Sequence, residues 1–374
     1  MTTDAKQSWA GERMPCLGGL CGALFAPRCT PEGKYLDTLP GLIAIALAFL
    51  TLSGAVMAAY YDPWHAFASV QFIRREVNNG WLVQAYHATG ATALFGLVYL
   101  HLFRVMLTRA YRAPGEFAWW LAVKLLALLL FVGWMGFVLS GGAAGYWSLF
   151  NAANAAVSLP GAPGAVARWF LGGPAAPASL ARLEMFHTVL ALAALAVAGG
   201  LLAARRKVAP QPAPGKGVAF YPYYLAQYLA ALAVFALIFS VLLFFAPHFG
   251  QPAVNALAAD PLTLPAGTAL PWYLLPLAGV ADALPGLWGG VAGVAGALVV
   301  LAALPWLDRA GPDGAKGKLY CALTWILALD VLALGATSAA HDNPQAPLLL
   351  GLFTLWYFFH FLVLTPLVTA MEAK

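Results

Sequence analysis

Two histidines, His87 and His101, stand fourteen residues apart inside one uninterrupted apolar stretch, GWLVQAYHATGATALFGLVYLHLFRVMLT, residues 80–108. Fourteen residues of helix rise roughly 21 Å and return to within about 40° of the starting face. One helix face therefore offers an imidazole near each side of a bilayer. Neutral imidazole is a metal ligand, and a polar ring inside a lipid-spanning segment marks a functional site by default. His187 lies close to one end of a further apolar stretch, RLEMFHTVLALAALAVAGGLLAARRK. The other reading of these residues is a set of inward histidines hydrogen-bonded within a helical bundle.

The elements that carry them belong to a membrane protein. Of 374 residues, 62% are hydrophobic and only 9% charged, which excludes an ordinary soluble domain. Eight apolar stretches, at about 38–61, 80–108, 117–140, 183–204, 223–246, 286–307, 318–337 and 346–370, are long enough or nearly so to span a bilayer. The sixth and seventh carry Pro305 and Asp330. The expected fold is an all-α integral membrane protein of eight transmembrane helices, with no signal peptide in the first forty residues. Fifteen of the twenty lysines and arginines fall in segments that face the cytoplasm if the N-terminus does, against four outside, so both termini are expected to be cytoplasmic. The net charge of +5 reflects this topology and carries no nucleic-acid footprint. Residues 1–37 read as a cytoplasmic arm, 38–207 as a four-helix bundle and 218–374 as a second transmembrane region, separated by a basic and then Pro/Gly-rich connection. Cys16, Cys21 and Cys29 match no metal-binding spacing and read as plain thiols. His360, mid-helix without a visible partner, reads as a hydrogen-bonded core residue.

His87 and His187 fall at the same depth on antiparallel spans, near the outer surface. Two imidazoles facing each other across a four-helix bundle can ligate a haem iron from above and below. A flat macrocycle between helices needs close backbone on its flanks, and Gly54 and Gly136 supply it at that depth on the first and third spans. One haem b with two histidine ligands is therefore expected at the outer level. Fourteen residues inward the pattern stops: Leu201 stands opposite His101, and Pro40 and Ala122 replace the glycines. A second haem is not expected there.

Nearly the whole chain resembles cytochrome b, the haem- and quinone-binding subunit of cytochrome bc complexes. The stretches are HAFASVQFIRREVNNGWLVQAYHATGA with YLHLFR following, ARWFLGGP, Arg182 with His187, FYPYYLAQ, ADPLTLP with PWYLLP, and LPWLDR. The resemblance implies eight transmembrane helices with two b haems between the second and fourth, a quinol-oxidation site facing outside and a quinone-reduction site facing the cytoplasm. By it, His87 and His187 would ligate the low-potential outer haem. His101 would be the first ligand of the inner haem and Arg104 a basic residue beside it, with Leu201 in the second ligand's place.

Several positions depart from the family pattern. The family's Pro-Glu-Trp-Tyr motif, whose glutamate accepts a quinol proton, is Leu270, Pro271, Trp272 and Tyr273 here, without a carboxylate. Its Tyr-Val-Leu-Pro-Trp-Gly stretch is Phe137 to Gly142, FVLSGG. The acidic residue of the inner quinone site is Tyr228, and the arginine that pairs with outer-haem propionates is Gln84. Arg182 is available to take over that pairing. The expected function is a degenerate cytochrome b paralogue with one outer haem and defective quinone sites. Its expected partners are a complete cytochrome b copy, a cytochrome c subunit and a Rieske iron–sulfur protein, in a bacterial-type inner membrane. The alternative is a structural or assembly subunit of the same complex with no redox role.

Overall fold

Long apolar runs cannot leave backbone N–H and C=O groups unpaired in lipid, so they close those bonds within helices. The computed structural model describes residues 27–28, 35–171, 177–208, 218–267, 269–310, 317–340 and 342–372. In chain order its helices are α1 (Leu39–Ala58), α2 (Ala66–Arg75), α3 (Gly80–Leu107), α4 (Glu116–Leu139), α5 (Ala143–Val157), α6 (Ala162–Leu171) and α7 (Pro177–Val208). There follow α8 (Leu225–Phe245), α9 (Leu275–Asp282), α10 (Gly286–Ala302), α11 (Leu304–Leu307), α12 (Lys318–Ala339), α13 (Ala346–Phe359) and α14 (Thr365–Met371). Cys16, Cys21, Cys29, most of the N-terminal arm and the centre of the connection after α7 lie outside the described residues.

Among the described residues, seven helical segments are long and apolar enough to cross a membrane. The eighth expected stretch, the sixth in order, is the shorter α10 of 17 residues. Pro305 opens the separate helix α11, because proline lacks the N–H that would continue α10. The Gly/Ala/Pro-rich segment between the third and fourth spans folds into α5 and α6.

Four spans form the first bundle: α1 packs on α3 and α7, and α4 packs on α7. The entry to α3 is set by backbone crowding. Asn79 takes a left-handed conformation, and any side chain at Gly80 would run into the Ile73 carbonyl, so α2 can fold tightly back onto α3. Before α2, the Asp62 carboxylate accepts from the Trp64 N–H at 2.9 Å and pairs with the His65 ring at 2.7 Å. The His65 bond, then the Trp64 bond, hold its pKa below the ordinary aspartate value.

The second half is bolted to the bundle at two places, the middle of α3 and the segment just after its C-terminal end. Midway along α3 the Tyr273 ring stacks on Phe95 with centroids 4.0 Å apart, and its hydroxyl donates to the Gly133 carbonyl at 3.3 Å. Just after α3, the fully covered Asp308 carboxylate accepts from Tyr111 at 2.7 Å and faces the guanidinium groups of Arg109 and Arg112 at 3.8 and 3.6 Å. Arg109 also reaches Glu372 at 3.1 Å and lies over the Tyr320 ring at 4.1 Å. Removing one partner from a buried ion cluster of this kind costs about 3–5 kcal/mol, because the other charges stay buried.

Candidate haem site

His87 projects from the second turn of α3 and His187 from α7, and their ring centroids lie 6.2 Å apart with the planes inclined by 61°. Each ring is fixed through its Nδ1 atom. His187 Nδ1 donates to the Val132 carbonyl of α4 at 3.0 Å. His87 Nδ1 lies 3.1 Å from the Ser53 hydroxyl of α1, which itself donates to the Leu50 carbonyl at 3.1 Å. With Nδ1 engaged as a donor, the remaining nitrogen, Nε2, carries the lone pair of each neutral ring.

The two glycines form the flanks of this arrangement. A Cβ on Gly54 would stand 3.0 Å from His87 Cε1, and a Cβ on Gly136 would stand 3.0 Å from His187 Cε1. A side chain at either place would push the imidazole out of position. Gly136 has a second use. It lies four residues after Val132, so its missing side chain leaves the Val132 carbonyl open to the incoming ring.

These residues fit a haem. Two imidazoles that grip one metal ion from opposite sides, each nitrogen about 2.0–2.1 Å from it, have ring centres roughly 6 Å apart. The observed spacing matches, and each ring is only partly covered, so open space reaches both. Packing agrees as well. The small core of Val132, Met135, Val138, Leu139, Leu149 and Leu183 is separate from the main core, which includes Leu50, Leu94, Leu129, Ala194 and Ala198. The histidine pair lies between the two. Arg182, expected beside the outer group, donates to the Phe170 carbonyl of α6 at 2.6 Å and ties that helix over the end of α7.

The level of His101 is built differently. His101 and Leu201 are each 1% exposed, and neither His101 nitrogen has a hydrogen-bond partner. Ala122 and Pro40 are also buried, and Leu201 and Ala122 belong to the main core. Arg104, the expected inner basic residue, pairs with Asp37. Tyr228 lies against Gly41 of α1. Leucine cannot coordinate a metal, and the packing leaves the His101 ring enclosed. A bis-histidine haem does not fit here.

Two features were not read from the sequence. Ser53 and the Val132 carbonyl orient the histidines; the hint for each was its register to a glycine, one residue before Gly54 and four before Gly136. His360, expected to be hydrogen-bonded, is 1% exposed with both ring nitrogens unpartnered, in a π-helical turn, His360–Leu364. The turn LPWY places Tyr273 in the interface with Phe95, and Pro271 contributes only its carbonyl, to the Leu274 N–H at 2.9 Å.

A helical bundle of membrane-spanning length with two imidazoles paired across it defines a class of multi-pass membrane protein. The family model "Cytochrome b/b6/petB" matches residues 31–207, and "Cytochrome b(C-terminal)/b6/petD" matches residues 258–358. Cytochrome b of Rhodospirillum rubrum is 31% identical over 375 residues, spanning 97% of this chain and 93% of that protein. Cytochrome b of Rickettsia bellii is 31% identical, spanning 99% and 95%. A chain of a hyperthermophilic respiratory Complex III superposes with a TM-score of 0.83 at 26% identity, covering 98% of this chain and 99% of that one. The chain belongs to the cytochrome b family, whose members bind haem b, and is a cytochrome b-type subunit of a bc complex.

Proposed function

We propose that this subunit carries one haem b, held between His87 and His187, and that it is a degenerate paralogue of cytochrome b. The single observation that carries the reading is the contrast between an open imidazole pair 6.2 Å apart and the sealed His101–Leu201 level. Gly54 and Gly136 keep the flanks clear, Ser53 and the Val132 carbonyl fix the rings, and Arg182, five residues before His187, is available to pair with an anionic edge of the group. When bound, the group supplies one-electron chemistry. The protein's own part is to orient both ligands and to exclude water from the apolar walls.

Without an inner haem the chain has no second redox station across the membrane. Without a carboxylate at Pro271 it has no proton acceptor at the outer quinol position. A complete quinone cycle therefore does not run within this chain alone. Its place is beside a complete cytochrome b copy, with a cytochrome c subunit and a Rieske iron–sulfur protein, in a bacterial-type inner membrane with both termini cytoplasmic. There it preserves the dimer contact and passes electrons between outer haems.

The test is a pyridine haemochrome count on the purified chain, followed by quinol reduction in the intact complex. One haem per chain that quinol reduces is the expected result. Two haems, or one inert to quinol, would replace this reading, the second outcome by a purely structural subunit.

A further inference from the structure

Helix α4 carries two charged residues, Glu116 in its first turn and Lys124 two turns further in. Its packed sides are accounted for. Trp119 donates to the Leu301 carbonyl of α10 at 2.9 Å, and the Val132 carbonyl accepts from His187 of α7. Lys124 lies on the remaining side with Phe117, Trp120 and Phe131, all of them exposed. At roughly 100° per residue these four positions fall within about 60° of one another. This side of the helix faces the surrounding lipid. Among the described residues, Lys124 forms no ion pair.

A lone ammonium in hydrocarbon is costly, so a lysine on a lipid-facing helix turns its head toward the nearest headgroups. The direction of α4 favours this. Lys124 sits roughly 12 Å along the helix axis from Glu116, and helical side chains lean toward the helix N-terminus. Its stem therefore carries the ammonium back about one turn, to the level of Trp120. There the Trp120 ring meets exposed Trp306 of α11, with centroids 5.0 Å apart and planes inclined by 33°. Exposed tryptophans mark the depth at which headgroups begin. Arg309, three residues after Trp306, is exposed as well, and its backbone N–H is anchored on the Thr369 hydroxyl at 2.9 Å. The neighbouring Asp308 carboxylate is buried against Arg109 and Arg112 and does not reach this surface.

We propose that Lys124, Arg309 and the Trp120–Trp306 pair form a binding site for an anionic phospholipid, in the leaflet on the His101 side of the membrane. The ammonium and the guanidinium hold the phosphate, the indoles cover the glycerol backbone, and an acyl chain runs along α4 past Phe131. Set against Glu116, the two cations leave the patch net positive, which selects a headgroup of net negative charge over a zwitterionic one. A carboxylate on a partner's transmembrane helix would need the ammonium one turn deeper, whereas the lean of the side chain delivers it to phosphate level. The inference is independent of the haem ligation.

The experiment places the intact complex in nanodiscs of phosphatidylethanolamine with a small share of photoactivatable phosphatidylglycerol, and maps the cross-links by mass spectrometry. Lys124→Gln removes the charge and keeps most of the stem; Lys124→Arg is the conservative control. In the wild type the label is expected on α4 between Phe117 and Phe131 and at Trp306. Lys124→Gln should lower it about fivefold, the contribution of one basic residue at a lipid headgroup. Label on the exposed side of α12, at Trp325, Leu329 and Leu332, stays the same, and arginine keeps the α4 label. A photoactivatable phosphatidylethanolamine should label α4 no more than α12. Absence of label on α4 in the wild type, equal label in Lys124→Gln, or equal label by the two lipids overturns the inference. Loss of another subunit from the Lys124→Gln complex, with the phosphatidylglycerol label unchanged, overturns it in favour of a protein partner.

Discussion

The same helix, α3, carries a histidine at each of two levels, and the two levels are different kinds of interior. Around His87 the chain spends glycine, serine and a bare carbonyl on holding an imidazole still beside open space. Around His101 stand leucine and alanine, and the imidazole is buried with no partner for either nitrogen. A buried polar group without a hydrogen bond costs about 1–3 kcal/mol. A ligand site needs all its parts together: the second ligand, the flanks and the space.

The contrast breaks most directly at the outer ligands. His187→Ala removes one of the two imidazoles and should bring the haem content of the chain to zero in a pyridine haemochrome assay. A normal spectrum in that variant would mean that the 6.2 Å pair is incidental. The reciprocal experiment restores the inner ligand with Leu201→His. That change should leave the count at one, because Ala122 and Pro40 still close the flanks and the surrounding core is packed. A count of two would show that the missing ligand alone had closed the site.

Smaller changes sharpen the comparison. Gly136→Ala places a Cβ 3.0 Å from His187 Cε1, so the ring must move by a few tenths of an ångström. Overpacking of this kind costs about 1–3 kcal/mol. It should appear as a lower melting temperature of the haem-bound form with a broadened Soret band. The smallest effect is expected from His101→Leu, which exchanges an unpartnered polar ring for an apolar side chain. Its stability to heat should stay within about 1 kcal/mol of wild type or rise, with haem content unchanged. A marked loss of stability would reveal a partner for His101.

Much of this was legible before folding. Helices of membrane length are forced by apolar runs, because lipid offers the backbone no other partner. The equal depth of His87, His187, Gly54 and Gly136 follows from a constant rise per residue. The exception among the spans was instructive. Residues 286–307 looked like one helix by composition, but Pro305 ends α10 and starts α11. His360 was read as hydrogen-bonded because most buried polar groups are, yet its neighbours offer it no partner.

What residue order determined by itself was therefore depth: which side chains share a level in the membrane, and which level lacks a second imidazole. Periodicity is local physics and needs no neighbours. Only the tertiary structure decided the rest: that the paired rings stand 6.2 Å apart, that Ser53 reaches one and the Val132 carbonyl the other, and that the His101 level is closed. Those facts depend on how helices distant in the chain rotate and lean against each other. That is settled by the packing of all the side chains together.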